Sequence, residues 1–354
     1  MKKNYSRDPR GRAEHRIAVF RRKISKYVRK ASLDPEQTAI VNALLGHEGH
    51  SALLLCSDLE ARAEASDCFC RLFIEQSEAN PGRRYYFFTF TDECGFVSDR
   101  TTMVDVASIM KKAGRALRAL KVNAVAVLEV HPLANYPGGG AGRTLLFHVH
   151  AIGWSDEPFD PEEAELTLHT GGAWKNPLGA PPVKIKPIAQ DSENLEEVSR
   201  YCLKPPHAAK NRRPSKNDPS RFRLLNTIKG YRPEFAFRVL EILSQIEMLD
   251  VVIGIGEGKR LRQDFRKTMT EWHKNRMSRN TILPGEFDIW HFWFKLREGT
   301  GSKLFLPVRI TGGGYRMRAV KQARRKEPLR RAVSLPPWHR KGRTGRRGPA
   351  RRSK

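Results

Sequence analysis

Apolar residues recur at two periods along the chain, and the switch between them marks out its elements. In the basic stretch RIAVFRRKISKYVRK, Ile17, Phe20, Ile24 and Tyr27 are three or four residues apart, which predicts a helix with one apolar face. LDPEQTAIVNALLGHEGH predicts a short helix ending near Gly46. SDLEARAEASDCFCRLFIEQSE predicts a longer one, with Ser57 or Asp58 as N-cap and Leu59, Ala63, Phe69, Leu72 and Phe73 facing the core. RYYFFTFT (84–91) is aromatic and β-branched, as a strand requires. An amphipathic helix is expected over 102–120, a buried strand over VNAVAVLEV (122–130) and another over TLLFHVHAIGW (144–154). PEEAELTLHTGG reads as a helical turn and VKIKPI (183–188) alternates like a strand. DSENLEEVSRYCLK (191–204) reads as a helix stopped by Pro205 and Pro206, which cannot continue it.

The order β-α-β-β-α-β-α predicts an α+β fold: a ferredoxin-like or RRM-like antiparallel sheet with helices on one face, and helical additions at both ends. The polar, Pro-containing run 206–221 reads as a loop and 221–280 as mostly helical. Residues 286–312 read as a final hairpin, with the aromatic set 290–294 as a core strand rather than a base-stacking platform. Residues 326–354 are rich in Arg, Gly and Pro, a composition of disordered chain. These readings divide the chain into a basic arm (1–30), a helical lead-in (31–80), a central domain (81–210), an accessory region (211–314) and a basic tail (315–354).

Charge sharpens this picture. The 354 residues carry a net charge of +27, with 65 Lys and Arg against 38 Asp and Glu. Residues 1–30 hold 12 basic and 2 acidic residues, residues 315–354 hold 16 and one, and the remaining body is nearly balanced at 37 against 35. Two cationic ends on a neutral body point to a polyanion, and nucleic acid fits better than a membrane surface because no apolar face accompanies the basic runs. No stretch of about 18 apolar residues spans a membrane, and no apolar segment follows the basic N-terminus as in a secretory signal. Five scattered Cys do not suggest a disulfide framework, so a reducing cytoplasm is the expected setting. Cys68 and Cys70 point apart on a helix and read as core.

Candidate chemistry gathers in the central domain. On a strand, His148 and His150 face the same side, and two imidazoles on an apolar strand need a partner if buried. Glu129, near the end of the preceding strand, is placed to approach them, and His131 shares its face. Two imidazoles and a carboxylate suit a divalent metal with open positions. On the helix NLEEVSRYCLK, Glu197, Tyr201 and Lys204 lie one turn apart along one edge. A phenol is a poor nucleophile unless its phenolate is stabilised, which a nearby metal and a lysine would do. IGIGEGKR (253–260) is not a phosphate loop, since Arg260 follows Gly258-Lys259. His169, His207 and His273 read as ordinary histidines.

RYYFFTFTDE (84–93), FHVHAIGW (147–154) and EEVSRYCLK (196–204), in that order, resemble the three motifs of the HUH-superfamily rolling-circle replication initiators, the Rep proteins of small plasmids. The resemblance covers about a third of the chain. Pro205 stands where many relatives have an aromatic residue, and the usual Pro-His upstream of the His pair is replaced by Arg143-Thr144-Leu145-Leu146. The resemblance implies an HUH endonuclease fold and a metal-dependent single-strand DNA nicking and joining enzyme. His148, His150 and Glu129 would hold Mg²⁺ or Mn²⁺, and Tyr201 would attack an origin phosphate. The products would be a 5′-phosphotyrosine and a 3′-OH primer, with Lys204 assisting and Glu197 activating water for a second step. It further implies origin DNA in single-stranded or hairpin form, a host polymerase and a helicase as partners, and no membrane. A single-Tyr transposase or mobilisation relaxase would use the same site. A non-catalytic basic nucleic-acid-binding protein is the alternative of another class.

Overall fold

The structure is a computed structural model describing residues 9–101, 103–136, 143–189, 192–214, 222–299 and 309–311. Helices α1 (Pro9–Ala31) and α2 (Pro35–Leu44), strand β1 (His50–Ser51) and helix α3 (Leu59–Ala79) come first. Next are β2 (Tyr85–Phe90), β3 (Phe96–Ser98), β4 (Met103–Asp105), α4 (Ala107–Ala119), β5 (Asn123–Leu133), β6 (Thr144–Trp154), α5 (Pro161–Thr170), β7 (Val183–Pro187) and α6 (Ser192–Cys202). The chain ends through β8 (Ala209–Pro214), β9 (Phe222–Thr227), α7 (Pro233–Leu243), β10 (Val252–Ile255), α8 (Gly258–Asn280), β11 (Thr281–Leu283), α9 (Ile289–Gly299) and β12 (Arg309–Thr311).

Local chemistry sets several of the boundaries. Asp34 and Gln37 form a reciprocal capping box that starts α2, with Pro35 at its first position. Gly46 follows α2 in the left-handed region (φ 65°), where a Cβ would run into Asp58. Asp58, not Ser57, caps α3 by accepting from Ala61 N at 2.9 Å. Cys68 and Cys70 are buried on α3.

The fold is α+β. The main sheet runs β7-β2-β6-β5-β8-β9, with β10 on β5 and β3 on β6. The first four neighbours pair antiparallel, and numbered among themselves by chain order they lie 4-1-3-2. The sheet is not wholly antiparallel, because β8 joins β5 in parallel at Leu133 and Lys210. Cross-strand pairing puts Glu129 opposite His148, Val127 opposite His150 and His150 opposite Thr89, all on one face. On the other face, Phe88 and Phe90 meet Phe159 and Trp174, which flank α5, while α4 packs there against β10. The histidine face is closed by α3, α6 and α1, with Phe73 of α3 against Trp154. Helices therefore cover both faces rather than one.

Four stretches differ from the sequence reading. Residues 209–214 and 222–227 form the β8–β9 hairpin, the first strand where a loop was expected and the second where a helical region was; polar side chains in the first conceal a backbone paired strand to strand. A strand, β10, interrupts the helical region after 221. Residues 289–299 form a helix instead of a strand: Ile289, Trp293 and Leu296 are buried at helical spacing. The helix expected from 102 begins at Ala107, after the short strand β4. The expected disorder of 326–354 falls outside the described residues.

The N-terminal basic stretch forms α1 as its spacing implies, and that helix is packed down. Phe20 and Ile24 are fully buried, Tyr27 stacks on Phe237 with centroids 4.0 Å apart, and Phe20 faces Tyr231. Lys30 Nζ lies 2.5 Å from Glu234 Oε1 at the far end. Phe20→Ala should therefore destabilise the protein by about 3–5 kcal/mol through transfer and cavity costs. Urea denaturation tests this; a loss under about 1 kcal/mol would mean that α1 is a loosely attached arm.

Candidate functional site

The two longest strands, β5 and β6, pair along their whole length, and the site lies at their centre. β5 continues past the predicted end at 130 to Leu133, so Glu129 stands within a strand and is only 5% exposed. Its Oε2 lies 2.9 Å from His150 Nε2 and 3.4 Å from His148 Nε2, and the two Nε2 atoms are 3.1 Å apart. Ligands in adjacent positions of an octahedral ion, with bonds of about 2.1 Å, sit about 3 Å apart. Glu129, His131 and His148 also bring one ligand atom each within 4.8 Å of one another. Glu129 Oε1 and His131 Nε2 are buried without a hydrogen-bond partner. Buried polar atoms left this way need an explanation, and a bound cation is one.

Surrounding groups fix the imidazoles. His148 Nδ1 contacts Leu146 O at 3.4 Å, and its Nε2 edge faces Glu129 and His150. Thr89 Oγ1 is 3.1 Å from His150 Nδ1, and Phe87 stacks on the His150 ring. Both come from the aromatic strand β2. Burial pushes the His150 imidazole down to about 3 and His131 well below its ordinary value, so both are neutral, as metal-ligating histidines are.

Helix α6 brings the other half of the site. Lys204 follows its last turn, is buried, and places Nζ 2.5 Å from Glu129 Oε2 and 3.2 Å from the centre of the Tyr201 ring. Burial alone would raise the Glu129 carboxyl; the Lys204 ammonium, then His148, outweigh it and hold it well below the carboxylate range. The Tyr201 ring meets His150 edge-on, with centroids 5.2 Å apart. Burial, then the Glu129 charge, push its phenol up to about 12. Glu197 lies on the more exposed side of the helix, 3.5 Å from Arg12 of α1. Thus Glu129, His148, His150, Tyr201 and Lys204 converge, with Glu197 at the rim.

Residues of α3 hold α6 in place. Arg62 donates to Cys56 O, and to the Leu203 and Lys204 carbonyls at 3.3 and 3.4 Å. Arg200 pairs with Asp67 of α3 and with Glu196.

Two cavities flank Tyr201. One, of about 640 Å³, is lined by His148, His150, Thr89, Lys184, Lys186 and Glu197 among others. The other, of about 290 Å³, is lined by Arg16, Glu129, His131, Lys204, His207 and Asn226; Tyr201 and Lys210 border both. The sequence reading put His131 on this face without giving it a role, took His207 for an ordinary histidine, and overlooked Arg16 and Lys210. Only His131 carried a local signal, from its two-residue spacing to Glu129. Arg16, His207 and Lys210 arrive through tertiary packing of α1 and the β8–β9 hairpin. No family model, curated protein or solved structure matches this chain.

Burial pushes the His207 imidazole down to about 4, against a hydrogen bond to Pro205 O. An unfolded His titrates near ~6.5, so across that interval the unfolded chain holds a proton that the folded chain does not. Stability should fall as pH is lowered through this window. His207→Asn should reduce the slope of unfolding free energy against pH by up to one proton, measured by urea denaturation at several pH values between ~4 and ~7. An unchanged slope would mean that this imidazole titrates as in the unfolded chain.

Proposed function

We propose that this protein is a metal-dependent enzyme that nicks and rejoins single-stranded DNA through Tyr201, in the manner of the HUH rolling-circle initiators. The observation that carries the proposal is the meeting of Glu129, His148 and His150 beside a tyrosine whose ring contacts both His150 and Lys204. The motif order along the chain supports it. So does the 4-1-3-2 order of antiparallel strands, the arrangement expected of a split βαβ sheet with the His pair on a central strand.

Glu129, His148 and His150 would hold the cation, with His131 adjoining, and the cation would supply Lewis-acid polarisation of a phosphate oxygen. Tyr201 Oη forms a bond to phosphorus as the bond from phosphorus to the 3′ oxygen breaks. The phenol loses a proton and the departing 3′ oxygen gains one. One phosphodiester replaces another, so the joining reaction needs no nucleotide cofactor. Lys204 neutralises Glu129 at rest, and its ammonium on the Tyr201 ring favours the phenolate as it forms. Glu197, one helical turn before Tyr201, is placed at the larger cavity to draw a proton from a water attacking the phosphotyrosine. The motif likeness to plasmid Rep proteins favours a replication origin as the site of reaction; the cationic ends of the chain suit the DNA backbone.

Incubation with Mn²⁺ and a random-sequence single-stranded DNA library should yield a detergent-stable adduct, and sequencing the trapped DNA should give the preferred site. Tyr201→Phe should form none, and His148→Ala with His150→Ala should lose both the adduct and the Mn²⁺-induced rise in Tm. Mass spectrometry should place the DNA on Tyr201; an adduct on another tyrosine, or none from the unaltered protein, would overturn the proposal.

Glu197→Ala should still form the adduct but release it more slowly. Adducts isolated from the two proteins and followed over time would show this; equal lifetimes would remove Glu197 from the second step.

A further inference from the structure

The smaller cavity has a composition that the nicking reaction as described leaves unused. Arg16, Lys210, His207 and Asn226 line it together with Tyr201 and the Glu129 side of the site. Arg16 comes from α1, about 185 residues before Tyr201, and α1 also contacts α6. Cations around the site are in different states. Lys204 is committed to Glu129 at 2.5 Å, and Arg12 sits 3.5 Å from Glu197 at the rim. No salt bridge takes up Arg16 among the described residues, although burial disfavours its charge and it lies within Coulombic reach of Tyr201, Glu129 and Glu197. A half-buried guanidinium held this way lacks the anion that its cost of burial calls for. Lys210 borders the same space from β8.

We propose that Arg16, with Lys210 across the cavity, binds non-bridging oxygens of the phosphodiester that Tyr201 attacks, so that the N-terminal helix is part of the reactive centre. The inference rests on the nicking reading above and adds the residues that hold the substrate phosphate. A guanidinium presents a planar fork of N–H donors that matches two phosphate oxygens, which an ammonium does not. Negative charge gathers on those oxygens as the phosphorus changes partners, so a cation fixed there favours the transition state more than the ground state. His207, neutral with its pKa pushed down to about 4, adds a hydrogen-bonding edge without a second charge. The packing of Phe20 and Ile24, about one and two turns beyond Arg16, then holds α1 in place.

The test compares the full-length protein with Arg16→Ala and Arg16→Lys, each first shown to melt as the unaltered protein does. Two quantities are read: binding of a single-stranded dT20 oligonucleotide as salt is varied, and the rate of adduct formation at saturating library-selected DNA. Arg16→Ala should slow the adduct by about 10²-fold, the usual cost of losing one such donor, and should weaken dT20 binding with a shallower salt dependence. Arg16→Lys should fall between, because it keeps charge without the fork. Replacing the scissile phosphate by a neutral methylphosphonate should slow the unaltered protein, and Arg16→Ala should then add little further loss. Equal dT20 affinities and equal adduct rates for Arg16→Ala and the unaltered protein would overturn the inference. A full additional loss on the methylphosphonate would also overturn it, since Arg16 would then act elsewhere. If the unaltered protein forms no adduct but dT20 binding still depends on Arg16, the nicking reading fails and the phosphate seat stands.

Discussion

A carboxylate in the middle of a sheet is the constraint on which this molecule is arranged. Glu129 is buried opposite His148 on the longest strand pair, and an isolated ionised carboxylate there would be heavily penalised. Lys204 and the histidines packed on that face compensate it. The Lys204 ammonium reaches it from the end of α6, and the imidazoles offer it their Nε2 edges. Arg62 holds the carbonyls that position Lys204, and Asp67 holds Arg200 on the same helix. Removing Lys204 would break the ion pair and leave Glu129 as an uncompensated buried charge, a change costlier than loss of the pair itself.

That compensation leaves part of the carboxylate unused. In the structure, Lys204 occupies one side of Glu129 while Glu129 Oε1 and His131 Nε2 lack hydrogen-bond partners. A dication at the three converging ligand atoms would meet that unfilled capacity and offset the Glu129 charge, which adds to burial in pushing the Tyr201 phenol upward. In the proposed reaction, filling of the ligand set and easing of the Tyr201 phenolate would thus be linked through one side chain.

Much of this was legible in local pattern. Strand alternation put His148 and His150 on one face, and helical spacing put Glu197, Tyr201 and Lys204 on one edge, because both periods are properties of the backbone alone. The aromatic strand β2 was legible too, but not that Thr89 would reach His150. That contact depends on register, which pairs Thr89 with His150 and is set by neighbours distant in sequence. The polar composition of 209–227 concealed a hairpin held by its backbone. The aromatic richness of 289–296 suggested a strand, yet the buried residues there are Ile289, Trp293 and Leu296, a helical stripe hidden among half-buried aromatic neighbours. In α1, the apolar stripe was readable, but its partner on α7 was not.

The distance between α1 and α7 along the chain bears on how the molecule is made. Lys30 and Glu234 are 204 residues apart in sequence yet in contact. At about 5–20 residues per second, α1 leaves the ribosome roughly 10–40 s before its partner can cover it. Through that interval α1 exposes Phe20, Ile24 and Tyr27 on a strongly basic background. A segment made well before its partner is thus covered late, and until then its apolar stripe is open to a chaperone.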